Sequence, residues 1–306
     1  MKLLVTGGLG FIGSNFILKQ LERNDTEIVN VDAELFGSDH QNLSKIQDSE
    51  RYNFVKGNIS NKKLMETQIE KCDAVVNFAA ESHVDRSIND ANPFLVSNIR
   101  GAFTILDIIT KQKKRMIHIS TDEVFGSLIN ETATEESKFN PSSPYAATKA
   151  SAELLIKSYI ATYNSDVIIT RCTNNFGPRQ FIEKLIPKTI ILANKNIKIP
   201  IYGEGKNIRD WIHVNNHCDA VERVLLKGKF GESYNISADN EIDNLTIVKK
   251  ILDIMDKSED LIEFVEDRPG HDFRYSMSSE KIMNELNWKV ETDFDKGLEN
   301  TIEWYL

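Results

Sequence analysis

Two adjacent carboxylates stand at the end of a predicted strand, in the segment Ser120-Thr121-Asp122-Glu123. The apolar residues 116–119 come directly before this segment and predict the strand. Neighbouring side chains point in different directions, so the two carboxylates can contact different atoms of one substrate. A protonated carboxyl beside an ionised one supplies an acid and a base, which is what an elimination reaction needs. The alternative is a solvated acidic turn or a helix cap.

Tyr145 and Lys149 form a second candidate pair, on a helix predicted over residues 143–163. At this spacing both side chains lie on one face of the helix. A lysine beside a tyrosine stabilises the phenolate, so we expect it to lower the pKa of the phenol toward the working pH. The same lysine could bind a nicotinamide ribose. Such a spacing often occurs by chance in a surface pair, so the assignment depends on the other motifs of the chain.

Three glycines, Gly7, Gly10 and Gly13, follow the first predicted strand and open a helix. Their spacing permits a tight turn, close approach of the backbone to a pyrophosphate, and close contact between helix and strand. The helix N-terminus offers unpaired N–H groups to the phosphates. Asp32, which ends the second predicted strand, would hydrogen-bond the adenosine ribose and repel a 2′-phosphate. The pattern predicts NAD as the cofactor; a glycine turn without a ligand is the alternative.

Three further segments are expected to complete the cofactor site. Phe11 and Ile12 lie between the last two glycines of the motif. Asn58 follows the third predicted strand and is expected near the adenine. Phe78-Ala79-Ala80 ends the next strand at the carboxyl edge of the sheet, where small residues leave room for a dinucleotide.

Short apolar runs alternate with amphipathic stretches through the first half of the chain, which predicts βαβ units and a parallel sheet. Strands are predicted at residues 2–5, 27–31, 53–55, 74–78, 116–119 and 167–171, and helices at 11–23, 62–71, 93–113, 143–163 and about 243–257. The expected fold class is α/β, a Rossmann-type doubly wound parallel sheet with a smaller C-terminal lobe. We expect an NAD-binding domain over residues 1–172, with 210–228 returning to it, and the smaller lobe mainly over 173–306.

The charge and hydropathy of the chain exclude some classes of partner. The formal net charge is −9, from 37 basic and 46 acidic residues, which does not fit a protein that binds nucleic acid through its phosphates. The basic run at residues 111–115 is interpreted as the solvated end of a helix. No apolar run reaches the roughly 18–20 residues of a membrane span. The chain enters a strand at once with no signal-peptide pattern, so we expect a cytoplasmic protein.

The cysteines and histidines predict neither disulfides nor a metal site. Cys72, Cys172 and Cys218 are far apart and odd in number, and are expected to be reduced. His213 and His217 have the spacing of metal ligands on a helix, but the sequence shows no third ligand. Core or surface histidines are therefore expected.

The chain closely resembles the dTDP-glucose 4,6-dehydratases, within the extended short-chain dehydrogenase/reductases, over essentially its whole length. The matching stretches are TGGLGFIGSNF, NFAAESHVDRSI, STDEVFG, SPYAATKASAE, RCTNNFGPRQFIEKLIP, IPIYGEGKNIRDWIHV and DRPGHDFRY. The Thr-Asp-Glu triplet is the most specific of them. Sugar epimerases of this superfamily typically carry small hydroxyl residues there, and GDP-mannose dehydratases have Ser-Glu without the Asp.

The resemblance implies an elimination on a nucleotide-diphosphate sugar with tightly bound NAD. Tyr145 would take the proton of the C4 hydroxyl while C4 gives hydride to NAD. Glu123 would then remove the acidified C5 proton, Asp122 would protonate the departing C6 hydroxyl, and hydride would return to C6. Thr121 would hydrogen-bond the C4 oxygen, and Lys149 would assist Tyr145. This sequence of steps requires Asp122 to be protonated while Glu123 is ionised.

The resemblance also assigns further contacts and a homodimer. It adds Ile59, Ser97 and Asn175 to the cofactor site. It places on the substrate Ser82, Thr121, Asn174, Lys184, Leu185, Pro200, Tyr202, Arg209, Asn244, Arg268, His271 and Tyr275. Lys184 and Arg209 would hold the diphosphate, because an arginine offers a planar fork of donors to phosphate oxygens. The segments 93–113 and 143–163 resemble the two helices that form a four-helix dimer interface in this superfamily.

Departures from the family pattern surround the nucleotide lobe and not the chemistry. Asn58 stands for the usual Asp, Ser237-Ala238-Asp239 for Gly-Gly, Ser276-Met277-Ser278 for Ala-Ile-Asp, and Asn216 for an Asp. They leave open a dehydratase for UDP-glucose or CDP-glucose. A 4-epimerase and a non-catalytic nucleotide-sugar-binding protein are further alternatives, and neither requires the Asp122–Glu123 pair.

Overall fold

The computed structural model describes residues 1–22, 26–267 and 269–306 of the chain. Its strands are β1 (Lys2–Thr6), β2 (Glu27–Asp32), β3 (Tyr52–Lys56), β4 (Ala74–Asn77), β5 (Arg115–Thr121), β6 (Val167–Cys172), β7 (Asn174–Phe176), β8 (Ile199–Tyr202), β9 (Ile208–His213), β10 (Ser233–Ile236), β11 (Glu241–Asp243) and β12 (Ile262–Val265). Its α-helices are α1 (Phe11–Glu22), α2 (Lys62–Glu70), α3 (Val84–Asn89), α4 (Asn92–Phe94), α5 (Ala102–Gln112), α6 (Pro144–Tyr163), α7 (Leu185–Asn194), α8 (Val214–Lys227), α9 (Asn244–Ile254), α10 (Glu280–Leu286) and α11 (Phe294–Tyr305).

Seven strands form one parallel sheet in the order β10-β6-β5-β4-β1-β2-β3. Its inner strands are apolar and buried on both faces, as a sheet covered by helices requires. The strand order reverses direction between β1 and β4, and ligands of such sheets bind outside the carboxyl ends of the strands at this point. The predicted Rossmann-type fold is confirmed, and the predicted strands agree with the observed ones to within two residues at each end.

The strand β10 was not predicted from the sequence. It pairs with β6 in register Tyr234–Thr170 and extends the large sheet from a part of the chain assigned to the smaller lobe. Between β9 and β10 lies α8, whose Val221 and Val224 share an apolar cluster with Leu3 of β1. The division of the chain at residue 172, with 210–228 returning, stays a prediction.

The smaller lobe consists of the three-stranded sheet β11-β9-β7, the parallel pair β12-β8, and the helices α7, α9 and α11. Phe176 and Trp211 contribute to the apolar cluster that joins the three helices to β7 and β9. The predicted helix at 243–257 is observed as α9. Its N-terminal cap is Asp243, whose side chain accepts a hydrogen bond from the Thr246 N–H at 2.9 Å.

The helix predicted at 93–113 is interrupted by a π-helical segment, Leu95–Gly101, between α4 and α5. Segments of this kind frequently occur at functional sites, because the extra residue redirects side chains. Here Asn98 is buried, accepts from the Glu81 N–H at 2.9 Å and donates to the Thr148 hydroxyl at 3.0 Å. The π segment thus ties the loop after β4 to α6.

Helix α6 is held by a cap and by a buried ion pair. Ser143 caps its N-terminus by accepting from the Ala146 N–H at 3.1 Å. The Glu153 carboxylate accepts hydrogen bonds from two nitrogens of Arg171 at 2.7–3.1 Å, and both side chains are 0 % exposed. The Arg171 guanidinium also lies 5.1 Å from the ring centre of Phe125, two residues after Glu123. This ion pair fixes α6 to β6.

Replacing Arg171 by methionine is expected to lower the free energy of unfolding by about 3–5 kcal/mol, because Glu153 stays buried without its partner. The double variant Arg171→Met/Glu153→Met should recover much of this loss. Urea denaturation measures both. Arg115→Ala is the control, since its pair with Asp166 is about one-third exposed and such pairs contribute about 1 kcal/mol or less. A loss for Arg171→Met no larger than that of the control would contradict the assignment.

Candidate active site

The acidic triplet lies where β5 ends, at the carboxyl edge of the sheet. Thr121 is the last residue of β5 and caps the short 3₁₀ turn Asp122–Phe125 by accepting from the Glu123 N–H at 3.3 Å. The Thr121 hydroxyl lies 3.1 Å from Oδ1 of Asp122. Oδ2 of Asp122 is buried and has no hydrogen-bond partner among the described residues. The cleft at the sheet edge is lined by all five residues predicted to be catalytic, Thr121, Asp122, Glu123, Tyr145 and Lys149.

The surroundings of Asp122 shift its protonation equilibrium. Burial is the main cause that raises the pKa of Asp122, to about 8, and the neighbouring Glu123 carboxylate raises it further. The hydrogen bond with Thr121 and the charge of Arg209 act in the opposite direction. Asp122 is therefore protonated at neutral pH, as a proton donor must be. This burial favours the protonated form that the predicted acid–base pair requires of Asp122.

The pH dependence of turnover is expected to show the titration of Asp122. If Asp122 is the predicted proton donor, activity should be present below an apparent pKa of about 8 and should fall as the pH rises through that value. The apparent value belongs to the Asp122–Glu123 pair as a unit. The profile of kcat between about pH 6 and pH 10 measures it.

Lys149 is the other group that could produce such an alkaline limb, since burial lowers its pKa to about 8. The variant Lys149→Arg separates the two, because an arginine does not titrate in this range. If Asp122 is the acid, Lys149→Arg retains the limb at lower activity. Disappearance of the limb in that variant would reject Asp122 as its source.

Tyr145 and Lys149 share the cleft, but the expected lowering of the phenol pKa is not seen. Burial raises the pKa of Tyr145 well above its ordinary value, and the charge of Glu123 raises it further. The ammonium group of Lys149 donates to the backbone carbonyl of Ile119 at 2.6 Å and is 4 % exposed. In this arrangement the lysine is bonded to β5, and the phenol pKa is raised where the sequence predicted a lowering; the assistance of Tyr145 by Lys149 stays a prediction.

The glycine motif forms the other end of the cleft. Gly7 has φ +71°, and a Cβ atom on it would lie 2.7 Å from the backbone of Ala79. A Cβ atom on Gly13 would lie 2.4 Å from the carbonyl oxygen of Gly7. Side chains at these positions would disrupt both the turn and the contact between α1 and the sheet. The residues predicted for the cofactor all line this cleft: Gly7, Gly10, Phe11, Ile12, Gly13, Asp32, Asn58, Ile59, Phe78, Ala79, Ala80, Ser97, Tyr145, Lys149 and Asn175.

These residues fit an adenine dinucleotide. Asp32 is buried and accepts from the Leu9 N–H at 3.0 Å, the Glu34 N–H at 2.8 Å and the Ser38 hydroxyl at 2.8 Å, so its carboxylate is fixed in place. A fixed negative charge beside the motif suits ribose hydroxyls and disfavours a 2′-phosphate. Asn58 accepts from the Ser60 N–H and hydroxyl, which shows that an amide at this position keeps the turn after β3 without the usual Asp.

Aromatic residues at the mouth of the cleft were not predicted from the sequence. Phe36, from the loop after β2, lies 4.5 Å from the ring of Phe181, and the Arg86 guanidinium lies 3.2 Å from its ring centre. His83 packs edge-on against Phe36 and lies 3.3 Å from a carboxylate oxygen of Glu183. Three segments distant in sequence therefore meet on one ring. Only the position of Phe36 shortly after Asp32 could have indicated a role.

Part of the predicted substrate set lines the same cleft. Ser82, Asn174 and Lys184 lie beside the catalytic residues, with Nζ of Lys184 3.5 Å from the Ser82 carbonyl oxygen. Asn175 is oriented by His217, whose Nδ1 lies 2.9 Å from the Asn175 amide oxygen. Burial lowers the pKa of His217 to about 3, so its ring is neutral. The described residues contain no group of three side chains that could hold a metal ion.

The other predicted substrate residues do not line this cleft. Leu185, Pro200, Tyr202, Asn244, His271 and Tyr275 lie on α7, β8, α9 and the segment around residues 271–275. Arg209 is 4 % exposed and donates to the carbonyl groups of Asp272 at 2.9 Å and Phe273 at 3.3 Å. Arg268 lies outside the described residues. The assignment of this set to the nucleotide stays a prediction.

Two of the departures from the family pattern have a local explanation. The Asn216 side chain accepts from the N–H groups of Glu291 and Thr292 and donates to the Thr292 carbonyl at 2.8 Å. A carboxylate could not make that last bond. Ser237 hydrogen-bonds the buried carboxylate of Asp210, which a glycine could not do. Both changes serve packing behind the site.

Comparison with known proteins gives full-length matches. A family model described as GDP-mannose 4,6 dehydratase matches residues 4–301. The low-salt glycan biosynthesis protein Agl12 of Haloferax volcanii is 45% identical over 307 residues, covering 100% of this chain and 99% of that protein. A dTDP-glucose 4,6-dehydratase of Mycobacterium tuberculosis is 43% identical over 310 residues, covering 100% of this chain and 93% of that protein.

A solved structure has the same fold over the whole chain. The crystal structure of DesIV, a dTDP-glucose 4,6-dehydratase from Streptomyces venezuelae with NAD bound, matches with a TM-score of 0.97 and 40% sequence identity. The match covers 100% of this chain and 97% of that one.

Proposed function

The chain belongs to the GDP-mannose 4,6 dehydratase family, among the dTDP-glucose 4,6-dehydratases, and we propose that it converts dTDP-glucose to dTDP-4-keto-6-deoxyglucose with tightly bound NAD. The observation that carries the proposal is the buried Asp122 beside Glu123, in one cleft with Tyr145 and the glycine motif. An elimination needs a proton donor and a base within reach of one sugar. An epimerase, which moves hydride away from C4 and back, needs an acid/base group only at the C4 hydroxyl and not this pair.

Bound NAD would supply the hydride acceptor for C4 of the sugar and the hydride donor for C6. Tyr145 takes the proton of the C4 hydroxyl, and Thr121 holds the C4 oxygen. Glu123 removes the C5 proton, which the neighbouring C4 ketone has acidified, and returns a proton to C5 when hydride reaches C6. Asp122 gives its proton to the C6 hydroxyl, which leaves as water. Lys149, bonded to the Ile119 carbonyl, holds its ammonium group at the end of β5 beside the ribose position.

Turnover of dTDP-glucose, followed by the alkali-induced absorbance of a 4-keto sugar, tests the proposal. UDP-glucose and CDP-glucose at the same concentration test the other nucleotide bases. We expect dTDP-glucose to give the highest kcat/KM. A preference for UDP-glucose or CDP-glucose would retain the dehydratase chemistry and reject the base, and no 4-keto product from any of the three would reject the function.

The protein is further proposed to be a homodimer. Leu95, Val96 and Phe103 on one helical run, and Leu154 and Tyr163 on α6, are 41–59 % exposed. Large exposed apolar side chains on neighbouring elements support an interaction surface. The two helical elements are adjacent, since α5 packs against α6 within the chain. Two copies of this helix pair would bury the surface as a four-helix interface.

Leu154→Glu is expected to convert the dimer to a monomer, because the substitution would bury an unpaired charge in the proposed interface. Light scattering at micromolar protein measures the state. Leu226→Glu, on the exposed side of α8, is the matched control and should remain dimeric. A monomeric wild type, or a dimeric Leu154→Glu variant, would contradict this interface.

A cytoplasmic location is proposed on the chemistry of the cysteines. Cys72, Cys172 and Cys218 are all buried free thiols, and burial raises the pKa of each. Reduced thiols suit a reducing compartment. Separately, none of the described helices has the length and apolar character that a membrane crossing requires.

A further inference from the structure

Residues 272–278, termed the strap, cross from the smaller lobe to the loop between the acidic triplet and α6. The strap and the loop are joined through their backbones: Leu128 N–H donates to the Arg274 carbonyl at 2.9 Å and Ala133 N–H to the Ser276 carbonyl at 3.0 Å. The Arg274 side chain donates to the Leu128 carbonyl at 2.8 Å. The strap therefore has a fixed position relative to the loop between the acidic triplet and α6.

Asp272, in the strap, is hydrogen-bonded both to the segment before α6 and to residues of the smaller lobe. Its carboxylate oxygen Oδ2 accepts from the Ser142 hydroxyl and from the Tyr275 phenol, the latter at 2.8 Å. Its backbone carbonyl accepts from Arg209 at 2.9 Å and from the Asn207 amide at 3.2 Å. Asp272 is only 8 % exposed, so these bonds are shielded from water.

On the catalytic side, these bonds end at the first turn of α6. Ser142 directly precedes Ser143, the N-terminal cap of the helix that carries Tyr145. Two residues earlier, Asn140 donates its N–H to the Val124 carbonyl at 3.0 Å, beside Glu123. A displacement of Ser142 would therefore move both the base on α6 and the acidic turn.

On the lobe side, the bonds end at Arg209 and Tyr275. The Arg209 guanidinium stacks on the Tyr275 ring, with its carbon 4.3 Å from the ring centre. Its charge also acts on Asp122, so it lies near the acidic pair. A ligand that engages Arg209 must act on the same backbone that holds Asp272.

We propose that Asp272 is a positioning residue, which transmits the placement of the strap to Tyr145 through its hydrogen bond with Ser142. This inference rests on the proposed function for its kinetic part. Asp272 does not line the cleft and does not act on the reacting atoms itself. Its role is to hold the first turn of α6 where the phenol reaches the sugar once the nucleotide end is engaged.

Steady-state kinetics with dTDP-glucose test the proposal. Asp272→Ala should lower kcat about tenfold at saturating substrate, since the hydrogen bonds that Asp272 accepts from Ser142 and Tyr275 are lost. Asp272→Asn should recover most of the activity, because an amide oxygen can still accept from Ser142. Ser142→Ala should also lower kcat. The double variant Asp272→Ala/Ser142→Ala should be no slower than the slower of the two single variants, because both substitutions break the same hydrogen bond.

Hydrogen exchange of residues 140–150 provides a readout that does not need turnover. Asp272→Ala and Ser142→Ala should exchange faster there than the wild type, and Asp272→Asn should not. The controls are Asp253→Ala, an exposed carboxylate on α9, and Ser158→Ala, an exposed hydroxyl on α6.

The outcomes separate this inference from the proposed function. Unchanged exchange in Asp272→Ala, a change confined to KM, or multiplicative effects of the two substitutions on kcat would each overturn the positioning role. The positioning role would be established by three results together. Hydrogen exchange at residues 140–150 is faster in Asp272→Ala, Asp272→Asn recovers the activity, and the effects of the two alanine substitutions on kcat do not multiply. A wild type that does not turn over dTDP-glucose would reject the proposed function, and the exchange result would still decide whether Asp272 holds α6.

Discussion

Replacing Glu123 by glutamine is expected to reduce kcat about 10²–10⁴-fold, the range attributed to a positioned general base. The amide has the shape of the carboxylate but cannot accept the C5 proton of the sugar. It also removes the negative charge that raises the pKa of the neighbouring Asp122. Formation of the 4-keto-6-deoxy product, measured by its alkali-induced absorbance, gives kcat.

The matched control for this variant is Glu136→Gln, an exposed carboxylate on the loop that follows the triplet. It should keep kcat within about twofold of the wild type, as most surface substitutions do. Turnover by Glu123→Gln within about tenfold of the wild type would show that another group removes the C5 proton.

Replacing Tyr145 by phenylalanine should cause a loss of similar size, about 10²–10⁴-fold in kcat. The proposed function assigns the C4 hydroxyl proton to this phenol, which lines the cleft, and oxidation at C4 would precede the other steps. Since burial and Glu123 raise the pKa of Tyr145, the phenol holds its proton in the described chain. We therefore expect the phenol of Tyr145 to lose its proton only with the help of the positive charges of bound NAD and of Lys149.

Tyr159→Phe is the control for Tyr145→Phe, because it removes a hydroxyl from the same helix at the surface. Binding of dTDP, measured by calorimetry, should be nearly unchanged in both variants. A variant Tyr145→Phe with wild-type kcat would show that the C4 proton leaves by another path, and loss of dTDP binding would show damage to the site as a whole.

The catalytic end of the site could be predicted because it depends on local rules. A strand that ends in Thr121-Asp122-Glu123 places these residues at the carboxyl edge of a parallel sheet, and the glycine motif does the same for the first βα turn. The spacing of Tyr145 and Lys149 fixes both on one face of α6. These features need no knowledge of how distant segments pack.

The remaining features depend on contacts that are distant in sequence. The Phe36–Phe181 contact at the mouth of the cleft joins residues that are far apart in the sequence, and β10 pairs with β6 across more than sixty residues. The shifted pKa of Tyr145 depends on how deeply α6 is buried, and the spacing alone indicated the opposite direction. Arg209 was predicted as a diphosphate ligand, but the sequence could not show that its N–H groups donate hydrogen bonds to carbonyl groups of the strap.

The fate of the hydrogen atoms at C4, C5 and C6 tests the central claim most directly. The protein is incubated with dTDP-glucose deuterated at C4, and separately with unlabelled dTDP-glucose in deuterium oxide, and the products are examined by NMR. We expect the C4 label to appear in a new methyl group at C6 and solvent deuterium at C5. A product that retains its C6 hydroxyl and carries no solvent deuterium at C5 would contradict the dehydration.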